Sequence, residues 1–100
     1  MAVQASFEPN YTRGITVAPS TSSASSEIGF GSKALVFTNL SPTVVVYINV
    51  GTSGITASTA DYPILPNSQI SLSKCQYDTH VAYITSSGTG SVHIIPGEGY

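Results

Sequence analysis

Apolar and polar residues alternate with a period of two along much of this chain. The cleanest run is Ser68-Gln69-Ile70-Ser71-Leu72-Ser73, with Ile70 and Leu72 on one side and Gln69, Ser71 and Ser73 on the other. Successive side chains of a strand point to opposite faces, so this pattern predicts a half-buried strand. Residues 43–50 are rich in Val, Ile and Tyr, which suit a pleated surface. Counting by two puts Val44, Val46, Ile48 and Val50 on one face, and Thr43, Val45, Tyr47 and Asn49 on the other. A second apolar segment at 33–39 precedes it through Leu40-Ser41-Pro42, and the pair reads as a hairpin over 34–50. Residues 79–85 and 91–95 read as another hairpin, turned at Ser86-Ser87-Gly88-Thr89-Gly90, whose glycines can take positive φ. Residues 55–67, punctuated by Asp61, Pro63, Pro66 and Asn67, read as a long loop.

Toward the N-terminus the pattern weakens. Ile15-Thr16-Val17 reads as a short strand, residues 20–26 as an edge strand or a flexible arm, and residues 1–12 as an extended tail. No segment carries apolar residues at helical spacing over two turns. The expectation is one all-β domain, an antiparallel β-sandwich of jelly-roll type with an extended N-terminal arm. Residues 1–30 are the arm with the first short strands, and residues 31–100 are the sandwich core.

Charge changes the picture most. Lys, Arg, Asp and Glu together make up 8% of the 100 residues, against about a quarter in an ordinary soluble domain. Few groups remain for acid–base work, metal coordination or phosphate binding. A net charge of −2 argues against a nucleic-acid partner, which requires a basic face. No apolar run approaches the ~18 residues of a membrane-spanning helix, so no membrane partner is expected. The apolar share of 41% is enough to build a core and argues against disorder. The single cysteine and the absence of a basic-then-apolar leader lead to the expectation of synthesis in a reducing host cytoplasm.

Candidate chemistry is thin. Asp78 and His80 sit two apart and could share a strand face beside a serine, but a triad is defined in space rather than by abundance. The plain alternative is a turn-capping aspartate and a strand-initiating histidine. His80 and His93 could meet across the second hairpin near Cys75 or Asp78, yet the paired short spacing of zinc ligands is missing. Cys75 reads as a small packed side chain, and the glycine-containing segment 86–90 lacks the ending and the helix of a phosphate loop. No catalytic residue, metal site or cofactor is therefore expected. Tyrosine is the more informative residue type. Tyr47 shares a face with Val45 and Tyr83 shares one with Val81, so two strands carry apolar area on both faces. Either a second sheet covers these side chains or another subunit does. The candidate interface residues are Val45, Tyr47, Tyr62, Tyr83 and Tyr100.

Three segments carry a resemblance. They are the strand ending Val46-Tyr47-Ile48-Asn49-Val50-Gly51-Thr52, the loop from Ala57 through Asp61-Tyr62-Pro63-Ile64-Leu65-Pro66-Asn67-Ser68, and the C-terminal pieces His80-Val81-Ala82-Tyr83-Ile84-Thr85, Ser87-Gly88-Thr89-Gly90 and Pro96-Gly97-Glu98-Gly99. Together they make the stretch from Ala34 to Gly99 resemble small β-structured phage and prophage proteins encoded among virion structural genes. The resemblance implies a non-enzymatic virion component, a decoration or cement protein on the capsid exterior whose partner is the major capsid protein. It supplies no catalytic residues, and the first thirty residues fall outside it. A homo-oligomer, dimer or trimer, is expected to bury the tyrosine faces. The alternatives are a portal- or tail-associated structural protein and a small glycan-binding tail module, the latter pointed to by Tyr62, Asn67 and Tyr77 in loops.

Overall fold

The computed structural model describes residues 8–28 and 31–98. Nine strands run through them: β1 (Glu8–Pro9), β2 (Ile15–Val17), β3 (Ala24–Glu27), β4 (Ala34–Asn39), β5 (Val46–Gly51), β6 (Tyr62–Ile64), β7 (Gln69–Ser73), β8 (His80–Thr85) and β9 (Val92–Glu98). One sheet has the order β9-β4-β7, with β1 and β2 placed one after the other along the second edge of β9. The other has the order β3-β8-β5-β6. Every pairing is antiparallel. From β2 onward each connection passes from one sheet to the other except β5–β6, which stays within its sheet. That winding is a jelly roll, the all-β sandwich expected from the alternation.

Both expected hairpins are corrected. β4 pairs with β7 and β9, whereas β5 pairs with β6 and β8, so residues 34–50 cross the sandwich instead of folding back in one sheet. β8 and β9 likewise lie in different sheets. Of the two glycines in the second connection, Gly88 takes the positive φ expected there, at 73°, and Gly90 does not; Thr85 Oγ1 donates to the Gly88 carbonyl at 2.6 Å. Gly90 is closely enclosed where the second connection crosses. Its N–H donates to the Pro19 carbonyl at 2.8 Å, and a Cβ there would lie 3.0 Å from Ser41 Oγ and 3.1 Å from Val46 Cγ2. The segment is pressed between neighbours from other parts of the chain. Among the described residues the only within-sheet hairpin uses β6, which falls inside the expected loop 55–67. It is short and contains Pro63, which an edge strand tolerates.

Within the described N-terminal residues the chain belongs to both sheets. β1 and β2 pair with β9, and β3 pairs with β8, so the edge-strand reading of residues 20–26 is the one observed. Residues 1–7 of the expected arm lie outside the described residues. The turn joining β1 to β2 is closed by Arg13 N–H on the Asn10 carbonyl at 3.0 Å. It holds Thr12 at φ 68°, a conformation that β-branched residues avoid. Thr12→Gly is expected to stabilise the fold by about 0.5–1 kcal/mol, read as a higher urea midpoint at unchanged slope; no gain would mean that this turn stores no strain.

The core lies between the sheets. Leu35, Phe37, Val92 and Ile94 meet Val46, Ile48, Ile64, Val81 and Tyr83, and Ile28 closes one end. Ile15, Val17, Val50, Ile70 and Leu72 pack around this cluster, half-buried. The inward assignment of Val46, Ile48, Val50, Ile70 and Leu72 by alternation agrees with this. The crossover after β4 is tied by Asn39, which is 1% exposed. Its Nδ2 donates to the Val44 and Ile64 carbonyls at 2.9 and 3.0 Å, and its Oδ1 accepts from Ser41 N–H at 2.9 Å.

Candidate interaction surface

Strand parity decides which side chains face outward. On the four-stranded sheet the outward rows are Ser25–Ala82–Asn49, Glu27–His80–Gly51 and Ile84–Tyr47–Pro63. Much of this face is already occupied by the chain itself. Ile55 lies against Gly51, where a Cβ would meet Ile55 Cδ1 at 2.6 Å. Asn49 Nδ2 donates to the Thr56 carbonyl at 3.1 Å, and Ala57 N–H donates to Ser23 Oγ at 2.9 Å. The β5–β6 loop therefore runs across the sheet from β5 to the start of β3. Ala82 faces outward beneath it and is 0% exposed.

The outer face of the other sheet keeps half-buried or exposed side chains at Thr16, Val36, Thr38, Gln69, Ser71, His93 and Ile95, whereas Ala34, at 2% exposed, and Gly97 on it are buried. Its rows are Thr16–His93–Thr38–Gln69, then Ile95–Val36–Ser71, then Pro9–Gly97–Ala34–Ser73. None of these residues is charged. Pro9, Val36, Gln69, Ile70, Ser71 and Ile95 line a shallow groove of about 450 Å³. Its rim is polar and holds no Asp, Glu, Lys or Arg: Gln69 Nε2 donates to Thr38 Oγ1 at 2.8 Å, and Thr16 Oγ1 lies 3.1 Å from His93 Nδ1. An apolar floor with uncharged hydrogen-bonding groups around it fits a protein surface better than an ion or a phosphate.

The tyrosines divide. Tyr83 is 6% exposed and belongs to the core, and its hydroxyl lies 2.6 Å from Ser26 Oγ, so its ring is covered by the opposite sheet. Tyr47 is outward and half-buried between Ile84 and Pro63. Val45 is half-buried just before β5. Tyr62 is 51% exposed, and Tyr100 lies outside the described residues. Val45, Tyr47 and Tyr62 thus keep surface to offer, while the groove residues Val36 and Ile95 were not singled out. The signal for them was present in the unbroken apolar runs Ala34-Leu35-Val36-Phe37 and Ile94-Ile95, which place apolar groups on both strand faces.

The reactive candidates stand apart. His80 and His93 lie on different sheets. His80 Nδ1 contacts Thr79 Oγ1 at 2.8 Å, and Asp78 sits in a turn closed by its N–H on the Cys75 carbonyl. Among the described residues no three His, Cys, Asp or Glu side chains gather as metal ligands. Cys75 is exposed rather than packed, because the 74–78 turn projects it outward while Lys74 takes the inner position. Lys74 Nζ donates to the carbonyls of Ser32, Asp78 and Cys75 at 2.7, 2.8 and 3.2 Å. Desolvation lowers the pKa of this ammonium below its ordinary value, against the opposing pull of Asp78, Cys75 and Glu98.

Comparison with known proteins yields no match to any family model and none to any curated protein sequence. Among solved structures, the plu4264 protein of Photorhabdus luminescens is similar at a TM-score of 0.46 and 10% identity, over 83% of this chain. The chain spans 59% of the length of that protein. The Drosophila NLP core, a structure described in terms of pentamer formation and histone binding, is similar at a TM-score of 0.33 and 14% identity, over 84% of this chain and 95% of its own.

Proposed function

We propose that the protein is a non-enzymatic virion component that decorates a phage capsid from the outside and stabilises it by binding the lattice of the major capsid protein. The observation that carries this reading is the part of the outer face of the five-stranded sheet that, among the described residues, stays half-exposed around Val36, Ser71 and Ile95. It is uncharged, grooved along Pro9, Val36 and Ile95, and bordered by Thr38, Gln69, Ser71 and His93. Many copies of such a surface can pack closely on a shell, because like-charge repulsion between them stays small. The charged residues among those described lie in turns and at strand ends, Glu27 among them at the end of β3 on the other sheet. The resemblance of residues 34–99 to phage virion proteins supports the same reading.

The test is to mix the purified chain with undecorated particles, sediment them, and count bound copies per capsid subunit. A fixed, high ratio is expected. The paired change Val36→Lys and Ile95→Lys places two ammonium groups in the groove floor and is expected to weaken binding at least about tenfold. Both positions face outward, so folding stability should move by no more than about 1 kcal/mol. A few copies per particle would assign the chain to the portal or tail instead, and glycan binding without particle binding would assign it to a tail module.

A further inference from the structure

Sandwich edges are templates for strand addition, and proteins guard them with proline, charge, brevity or a covering loop. Three of the four edges here are guarded. β6 has three residues and includes Pro63. β3 ends in Glu27 and is flanked by Ser23, which holds the β5–β6 loop. The edge formed by β1 and β2 is broken by the turn at 10–13. The fourth edge, β7, is five residues of Gln, Ile, Ser, Leu and Ser with neither proline nor charge. Lys74 follows it, yet its ammonium is folded back onto the Cys75 and Asp78 carbonyls of its own turn and the Ser32 carbonyl before β4. Gln69 is likewise drawn inward, onto Thr38 across the outer face.

The ladder to β4 fixes which backbone groups are free. Asn39 N–H donates to the Ser68 carbonyl and Lys74 N–H to the Lys33 carbonyl, both at 2.8 Å. Residues 68, 70, 72 and 74 therefore turn their N–H and C=O toward β4, and Gln69, Ser71 and Ser73 turn theirs outward. Among the described residues no strand pairs with that side. The apolar rim beside it is also open. Ile70 and Leu72 are only half-buried. Tyr62 lies opposite Ile48 on the inner face of β6 and is 51% exposed.

We infer that two copies of this chain join antiparallel through β7, with Ser71 facing Ser71 of the second copy on a two-fold axis. Centring on Ser71 sets Gln69 opposite Ser73 and Ile70 opposite Leu72. The outward-pointing backbone groups then meet in hydrogen-bonded pairs, giving about six inter-chain ladder bonds. Ile70 and Leu72 meet in the closer, non-hydrogen-bonded pairs. The five-residue strand is its own complement in this register, as an isologous interface requires. The sheets of the two copies become one, and their outer grooves fall on the same face. This pairing is a property of the free chain and does not depend on the capsid reading.

Sedimentation velocity of the full chain over a concentration series tests it without capsids. A monomer–dimer equilibrium is expected. Ser71→Pro removes the N–H at the axis and should raise the dimer dissociation constant at least about tenfold. Ser71→Lys, which brings two ammonium groups together, should do the same if proline perturbs the strand; melting curves confirm that each variant is folded. In a Cys75→Ser background, oxidised Ser71→Cys should form a covalent dimer, because hydrogen-bonded partners lie about 5.5 Å apart, within disulfide reach. Ser53→Cys, in the exposed turn after β5, is the control that should not. A chain that stays monomeric throughout overturns the inference. So does an oligomer that is indifferent to the folded Ser71 variants and gives no Ser71→Cys cross-link.

Discussion

Asn39→Leu is expected to cost about 3–5 kcal/mol of folding stability, although leucine has the same branched heavy-atom skeleton and is more apolar. The Asn39 amide serves three backbone groups at once: the Ser41 N–H and the Val44 and Ile64 carbonyls. With leucine they lose their partner at a site where the side chain is 1% exposed. Each unsatisfied buried group costs roughly 1–3 kcal/mol, and some of that is recovered where the part-buried Val44 carbonyl reaches water. Asn39→Asp should be no better, because its second oxygen would face two carbonyls where a donor is needed. Against a total stability of about 5–15 kcal/mol for a domain of this size, such a loss leaves little margin. Urea unfolding should show the midpoint falling with the slope unchanged. A loss below about 1 kcal/mol would mean that water replaces the amide, and that Asn39 does not hold the crossover.

Phe37→Ala should be at least as damaging, at about 3–5 kcal/mol. Phe37 is fully buried at the middle of β4, flanked in register by Ile70 on β7 and Ile94 on β9. It faces the opposite sheet, so its loss opens a cavity between two sheets that backbone pairing holds apart. The sandwich cannot collapse locally to fill that space. The melting temperature should drop by about 15 °C or more, while Phe37→Leu should lose less than half as much. A mild Phe37→Ala phenotype would mean that the two sheets are not packed around this ring.

The two predictions mark where local pattern stops and long-range structure begins. Alternation identified the strand at 69–73 and the inward side of 46–50 because side-chain direction in a strand is a local matter of parity. It could not say which strand lies beside which. Residues 34–39 and 46–51 look like a hairpin because each is a good strand and a turn joins them. Their partners come instead from 69–73, 92–98, 62–64 and 80–85. Asn39 shows the difference in one residue. In sequence it reads as part of a turn signal with Ser41 and Pro42; in the fold its amide binds the Ile64 carbonyl, 25 residues away.

The open groove was legible only in part. The apolar runs around Val36 and Ile95 state that both faces of β4 and β9 are hydrophobic, and Val45–Tyr47 and Val81–Tyr83 state the same of β5 and β8. Which of these faces stays open depends on the rest of the chain. Tyr83 is taken into the core, and the β5–β6 loop crosses the outer side of its sheet. Nothing among the described residues lies over Val36 and Ile95 in the same way.

By itself the sequence determined an all-β chain of short strands, the direction of most of their side chains and a surface almost without charge, since these depend on neighbours one or two positions apart and on composition. Only the tertiary structure decided the winding of the jelly roll, the burial of Tyr83 and the exposure of the groove and of the β7 edge. Those depend on which distant strand, or which loop, settles against each face, and the backbone hydrogen bonds that choose between them look alike from every strand.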